Sequence, residues 1–126
     1  MKGVLGVIKK DGKFLLGTEA QEKPWKGKWR LLGGQVEEGE SVQEALIREL
    51  DEEAAITIIV GSEVCIRKGD LKPIDIHILM AEHTAGALVP KLDEVGELRY
   101  FSIEEIQNLE MDNVSRSVFE EYGNTL

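Results

Sequence analysis

At 126 residues with 42% apolar content, the chain is expected to form one domain, residues 1–126, which argues against a two-domain enzyme. Fifteen lysines and arginines against twenty-four aspartates and glutamates leave a formal charge of -9, disfavouring nucleic acid and anionic membranes as partners while leaving room for a small anionic substrate where a divalent cation reverses the local field. One cysteine, Cys65, and two histidines exclude an internal disulfide and a zinc cluster, and with no signal-like segment and no apolar run near membrane-spanning length the chain reads as soluble and cytoplasmic.

Residues 4–8 and 14–16 are short apolar runs on either side of Asp11-Gly12, a strong hairpin signal. Residues 17–28, with Gly17, Pro24 and Gly27, read as a loop leading to a short strand over 29–32, which Gly33-Gly34 is expected to end. Ser41 and Glu44 have the spacing of a capping box, which predicts a helix running to about Ala54. The stretches 56–66 and 74–80 are rich in β-branched residues, and the second alternates Ile74, Ile76, Ile78 and Met80 with Asp75, His77 and Leu79, as a half-buried strand would; the two are expected to pair. Residues 86–90 and 98–101 are weaker strand candidates. Ser102 and Glu105 form a second capping box, and a last helix is expected from about Val114 to Tyr122 with Asp112 at its start and Gly123 at its stop. Strands and helices must then share one core in an α+β or layered arrangement.

Eight acidic residues lie between positions 37 and 53, with Arg48 the only base among them. On an arbitrary helix such a run simply faces water. At about 100° per residue, however, Glu49, Glu52 and Glu53 fall within one arc, while Leu46, Ile47, Leu50 and Ala54 point elsewhere. Three like charges on one face repel unless a cation sits among them, and hard carboxylate oxygens suit Mg²⁺ or Mn²⁺. Gly33-Gly34, just after an apolar strand, allows close approach of backbone to a ligand.

These residues resemble the Nudix hydrolases. The family's box, Gly, five residues, Glu, seven residues, Arg-Glu-apolar-x-Glu-Glu-x-Gly-apolar, is met over residues 34–56 by Gly34, Glu40, Arg48, Glu49, Leu50, Glu52, Glu53 and Ile56, with Ala55 in place of the last glycine. Gly27-x-Trp29 and Arg99-Tyr100-Phe101-Ser102 extend the likeness. Leu32 stands where a proline is usual, and Glu19 stands near where many members carry a phosphate-binding arginine. The resemblance implies an α/β/α sandwich around a mixed sheet and a metal-dependent cleavage of a pyrophosphate bond in a nucleoside diphosphate linked to another group. A (deoxy)nucleoside triphosphate pyrophosphohydrolase of MutT-like type is preferred to an ADP-ribose or ADP-sugar pyrophosphatase and to a non-catalytic nucleotide-binding module.

Roles follow from that likeness. Glu49, Glu52, Glu53 and the Gly33 carbonyl would hold Mg²⁺ or Mn²⁺, with Arg48 orienting the box carboxylates. One of the glutamates, or Glu97 or Glu94 on a loop, would take the proton of the attacking water, and Glu97 is preferred because it lies three residues before Tyr100. Lys23, Lys26, Lys28 or Arg30 would meet phosphate, Trp25 would stack on a base, and Asp112 and Asn113 would read a base edge or else cap the last helix. His77, Trp29 and Cys65 read as sheet or core residues. The partner is a small nucleotide, and the chain is expected to be a monomer or homodimer.

Overall fold

Asp11 and Gly12 both adopt positive φ (52° and 75°), the twist that a two-residue hairpin demands, and they join β1 (Lys2–Lys10) to β2 (Lys13–Glu19). The computed structural model describes residues 1–126. The following apolar stretch divides into β3 (Trp29–Arg30), which pairs with β2, and β4 (Leu32–Gln35), which pairs with β1. Gly33-Gly34 therefore lies inside a strand instead of ending one. At φ 151° a Cβ on Gly33 would come within 2.0 Å of the Val4 carbonyl oxygen, so the close pairing with β1 requires glycine there.

Helix α1 (Val42–Ala54) opens on the expected capping box, with Ser41 Oγ accepting from the Glu44 N–H and the Glu44 carboxylate from the Ser41 N–H. Strands β5 (Thr57–Lys68) and β6 (Asp75–Ala85) pair antiparallel, and β6 runs parallel to β1. Strand β7 (Val95–Phe101) pairs with β2, α2 (Ile103–Ile106) has its own capping box at Ser102, and α3 (Asn113–Tyr122) is capped by Asp112. The main sheet order is β3-β2-β1-β6-β5, and one parallel contact among antiparallel ones makes it mixed. No helix is long and apolar enough to cross a membrane.

The single core expected from the sequence is two. Alternation along β1 sends Val4 and Ile8 to the face covered by α1, where they meet Leu46, Leu50 and Ala54, and sends Val7 to the opposite face with Ile106, Val118 and Phe119. At the middle of β6, Ile78 and Leu79 are buried on opposite faces, so the half-buried alternation read from 74–80 applies only to the start of that strand. Ile47 is 46% exposed and lies off the buried stripe of α1.

Residues 86–90 are not a strand, because their donors are used elsewhere. The Val89 and Lys91 N–H groups donate to the carbonyls of Ala54 and Glu53 at the end of α1, and Pro90 has no N–H to offer a ladder. Ala55, in the box position of glycine, is left-handed at φ 59° and ψ 33°. Ala55→Gly should therefore raise unfolding stability by about 0.5–1 kcal/mol through loss of the Cβ penalty; urea denaturation showing no gain would mean that the gain in unfolded-chain entropy cancels it.

Candidate active site

A cleft of about 600 Å³ opens between the start of β1, β4, the last turns of α1, the loop after β2 and the tip of the β5–β6 hairpin. The end of α1 presents Glu49 and Glu53 to it, because the capped start of the helix and the burial of Leu46 and Leu50 fix the helix rotation. Gly34 makes room for Glu49: a Cβ at that position would lie 2.6 Å from the Glu49 carboxyl carbon.

Arg48 gathers the outer acids. Its Nε and Nη2 donate to Glu40 at 2.8 and 3.0 Å, Nη1 donates to Glu49 at 2.9 Å and Glu52 at 3.3 Å, and Nη2 also reaches the Gln35 carbonyl at 3.0 Å. The bidentate hold on Glu40 keeps that carboxyl well below the ordinary range, at about 2. Glu52 is held on the exposed side, with 45% of its side chain accessible. The three box glutamates thus do not close on one point, and no three His, Cys, Asp or Glu side chains converge in the geometry of a metal site.

Arg30 serves the inner acids. Its Nη1 lies 3.4 Å from Glu53 Oε2, Nη2 reaches the Glu94 carbonyl at 3.4 Å, and Nε lies 3.2 Å from Glu19 Oε1, out of line for a hydrogen bond. Glu53 is 3% exposed. Burial pushes its carboxyl up to about 8, Arg30 offsets this in part, and the neighbouring Glu49 and Glu94 add to the rise. Glu49 is raised as well, chiefly by burial. Glu19, also 3% exposed, is answered differently: burial raises it, but Arg30, the Gln21 N–H and Lys23 more than offset this and leave it below the ordinary range.

Half-buried Glu49 and buried Glu53 are adjacent carboxylates with too little positive charge between them, and their hard oxygens face a cleft. That donor set fits a divalent cation, with Glu52 one turn away and in this structure turned to Arg48.

Of the other residues singled out from the sequence, Trp25, Arg30, Gly33, Lys23, Glu94 and Asp112 line the cleft. Glu97 does not. It is exposed, its N–H donates to Thr18 Oγ1 and its carboxylate pairs with Arg99, because it lies within β7 while Glu94 lies before that strand. Asn113 is exposed on the first turn of α3 and does not line the cleft. Lys26 is tied to Glu22, and Lys28 is exposed and does not line the cleft. His77 pairs with Glu63, and Trp29 packs edge-on against Phe101.

Asp112 is 9% exposed. The Trp29 carbonyl accepts from its N–H at 3.2 Å and its Oδ2 accepts from the Ser115 N–H at 3.4 Å, while its Oδ1 is buried with no hydrogen-bond partner. Ser115 Oγ in turn accepts from the Leu31 N–H at 2.9 Å, tying α3 to the strand that carries Arg30. Sequence reasoning noted Glu19 only as standing near the place of a phosphate-binding arginine, not as the acid on which Lys23, Trp25 and Arg30 converge, and it missed Ser115, which nothing marked.

A model of the NUDIX domain matches residues 2–122 of the chain. The chain is 37% identical over 75 residues, 60% of its length, to the CTP pyrophosphohydrolase of Escherichia coli (strain K12), and 32% identical over 111 residues, 86% of its length, to the ADP-ribose pyrophosphatase of Methanocaldococcus jannaschii. These matches span 56% and 65% of the lengths of the two relatives. Among solved structures, the E. coli ORF135 protein superposes with a TM-score of 0.80 at 28% identity, covering 98% of this chain and 88% of that one.

The rise at Glu53 has a measurable sign. The folded protein keeps this proton up to about 8, whereas an unfolded glutamate releases it near 4.5, so metal-free protein should lose stability as pH rises through that window. Glu53→Gln should flatten the loss in thermal melts at pH 5 to 8. An identical pH slope in the variant would place the proton elsewhere.

Proposed function

The chain belongs to the Nudix family, and on that premise we propose that it is a divalent-cation-dependent hydrolase of nucleotide pyrophosphates, converting a (deoxy)nucleoside triphosphate to the monophosphate and pyrophosphate. The observation that carries this reading is the juxtaposition, in one cleft, of half-buried Glu49 and buried Glu53 with Arg30, Lys23 and Asp112: acids for a cation, cations for phosphate, and an acceptor for a base.

Mg²⁺, or Mn²⁺, would be held by Glu49 and Glu53 with the Gly33 carbonyl and Glu52, and when bound it neutralises phosphate oxygens and makes water more acidic. Water attacks one phosphorus of the anhydride, the bridging P–O bond breaks with pyrophosphate leaving, and a cleft carboxylate accepts the proton. Glu53 takes that role in this proposal through the carboxylate oxygen not turned to the cation, with Glu94, which lines the same cleft, as the alternative acid. Arg48 fixes Glu49 through Nη1 while its Nε and Nη2 hold Glu40, and so sets where the acids stand. Trp25 offers a half-buried ring for stacking on a base. Asp112 would combine the two functions expected of it as alternatives: Oδ2 caps α3, and Oδ1, buried and without a partner, would accept an N–H from the base edge once a base displaces what covers it.

A second reading, ADP-ribose pyrophosphatase, is favoured by the alignment of the M. jannaschii relative over 86% of the chain. A panel of nucleoside triphosphates and ADP-ribose with Mg²⁺, products identified, separates the two: pyrophosphate supports the first reading, and AMP with ribose 5-phosphate the second. Activity should vanish in excess EDTA, and Glu53→Gln should lower kcat by on the order of 10²–10⁴. Hydrolysis undiminished by either would contradict the role of the carboxylates.

Asp112→Asn retains a good helix cap and exchanges an acceptor for a donor in part. It should shift kcat/KM for the preferred base against its competitors by roughly 5- to 150-fold, and ratios unchanged across guanine, adenine and pyrimidine nucleotides would leave Asp112 as a cap alone.

A further inference from the structure

Glu19 ends β2 with its side chain almost wholly buried, and four groups converge on it. The Gln21 N–H donates to Oε2 at 3.2 Å, Trp25 Nε1 donates to Oε1 at 3.2 Å, and Lys23 Nζ and Arg30 Nε lie 3.3 and 3.2 Å from Oε1. Glu19 and all four of these residues line the cleft. The Lys23 ammonium also sits over the Trp25 ring, 5.7 Å from its centroid. The loop closes on the same point through its backbone, with the Glu19 N–H donating to the Lys28 carbonyl at 3.0 Å and the Gly27 N–H to the Glu19 carbonyl at 2.8 Å.

A carboxylate this buried is retained only when cations answer it. Here two cations meet at one acid, with Arg30 also reaching Glu53 through Nη1, so this wall of the cleft gathers positive charge in a chain whose overall charge is -9. Long cationic side chains lose rotamer freedom on meeting a ligand, and an anchor already in place removes much of that loss.

We infer that Glu19 is a positioning residue for an anion-binding wall, holding Lys23 and Arg30, with Trp25 beside them, where they receive the phosphate groups of a nucleoside polyphosphate. This inference rests on the proposed reaction for the identity of its ligand, and on the geometry alone for the wall itself. Glu19 touches no substrate in this role; it acts through the two cations.

The test uses inorganic pyrophosphate with Mg²⁺ as probe, titrated by calorimetry and by tryptophan emission in a Trp29→Phe background, where Trp25 is the sole reporter. Glu19→Gln should weaken pyrophosphate binding about tenfold or more and shift Trp25 emission, since the indole N–H loses a charged acceptor. Lys23→Met, which leaves the buried acid in place, should weaken binding about threefold, and adding it to Glu19→Gln should cost little further, because a cation without its anchor has already lost its place. In turnover, Glu19→Gln should raise KM more than it lowers kcat.

Pyrophosphate binding unchanged in Glu19→Gln, whatever its melting temperature, overturns the inference, as do losses that multiply in the double variant. If Glu19→Gln does not fold, Lys23→Met decides, and an unchanged Kd there overturns it as well. Wild-type protein that binds pyrophosphate through these residues yet hydrolyses no nucleotide would refute the proposed reaction and support the wall. Wild-type protein that hydrolyses nucleotides, with Glu19→Gln normal in Kd and KM, would refute the wall alone.

Discussion

A carboxylate buried where a helix presents its negative end is the constraint around which this molecule is arranged. Glu53 occupies the last turn of α1 at 3% exposure, where both burial and the helix dipole oppose its ionisation. The surroundings answer on two sides. The loop after β6 brings the Val89 and Lys91 N–H groups to the Ala54 and Glu53 carbonyls, so that these two acceptors add less to the local negative potential. Arg30 approaches from β3, itself held through Glu19 on β2, and β2 pairs with β7, the strand that the same loop feeds. Helix end, loop, two strands and guanidinium form a closed circuit of supports.

The two arginines divide the acids between them. Arg48 sits on the outer side of α1 and ties Glu40, Glu49 and Glu52 into a rigid group, which fixes the loop entering the helix relative to its body. Arg30 sits inside and is shared by Glu19, Glu53 and the backbone carbonyls of Leu31 and Glu94. Each guanidinium can serve several acceptors because its donors are fixed in a planar fork, which a lysine ammonium would not reproduce. Glu49 lies between the two spheres, bonded to Arg48 and pressed against Gly34, and that contact sets where its carboxylate enters the cleft.

What the sequence disclosed was local. The capping boxes at Ser41 and Ser102, the Asp11-Gly12 turn and the angular spacing of Glu49 and Glu53 depend on residues a few positions apart, and each was legible without knowing the sheet. Glu52, grouped with them by angle, turned instead to Arg48, because a side chain's final direction depends on the partner within reach. Which of Glu94 and Glu97 enters the cleft could not be read from the sequence, since it is decided by where β7 starts pairing with β2, around a bulge between Gly17 and Glu19. Gly33-Gly34 reads as a strand end on composition; only the approach of Val4 and Glu49 reveals why glycine is needed within the strand. The convergence on Glu19 is likewise invisible in one dimension, because it joins a strand end, a loop and a second strand.

The parallel pairing of β1 with β6, from Lys2↔Asp75 to Lys9↔Glu82, bears on the order in which the chain can assemble. On a ribosome adding about 5–20 residues per second, β1 and β2 emerge as a hairpin and then wait several seconds for their parallel neighbour, with β4 and α1 appearing in between. The apolar flank of β1 that β6 will cover stays open throughout that interval, since closing so long a loop must precede the contacts that reward it. The strand that floors the cleft is therefore the one most dependent on a late event in synthesis, and a pause between residues 35 and 75 would prolong the period in which a half-built sheet offers its edge to other chains.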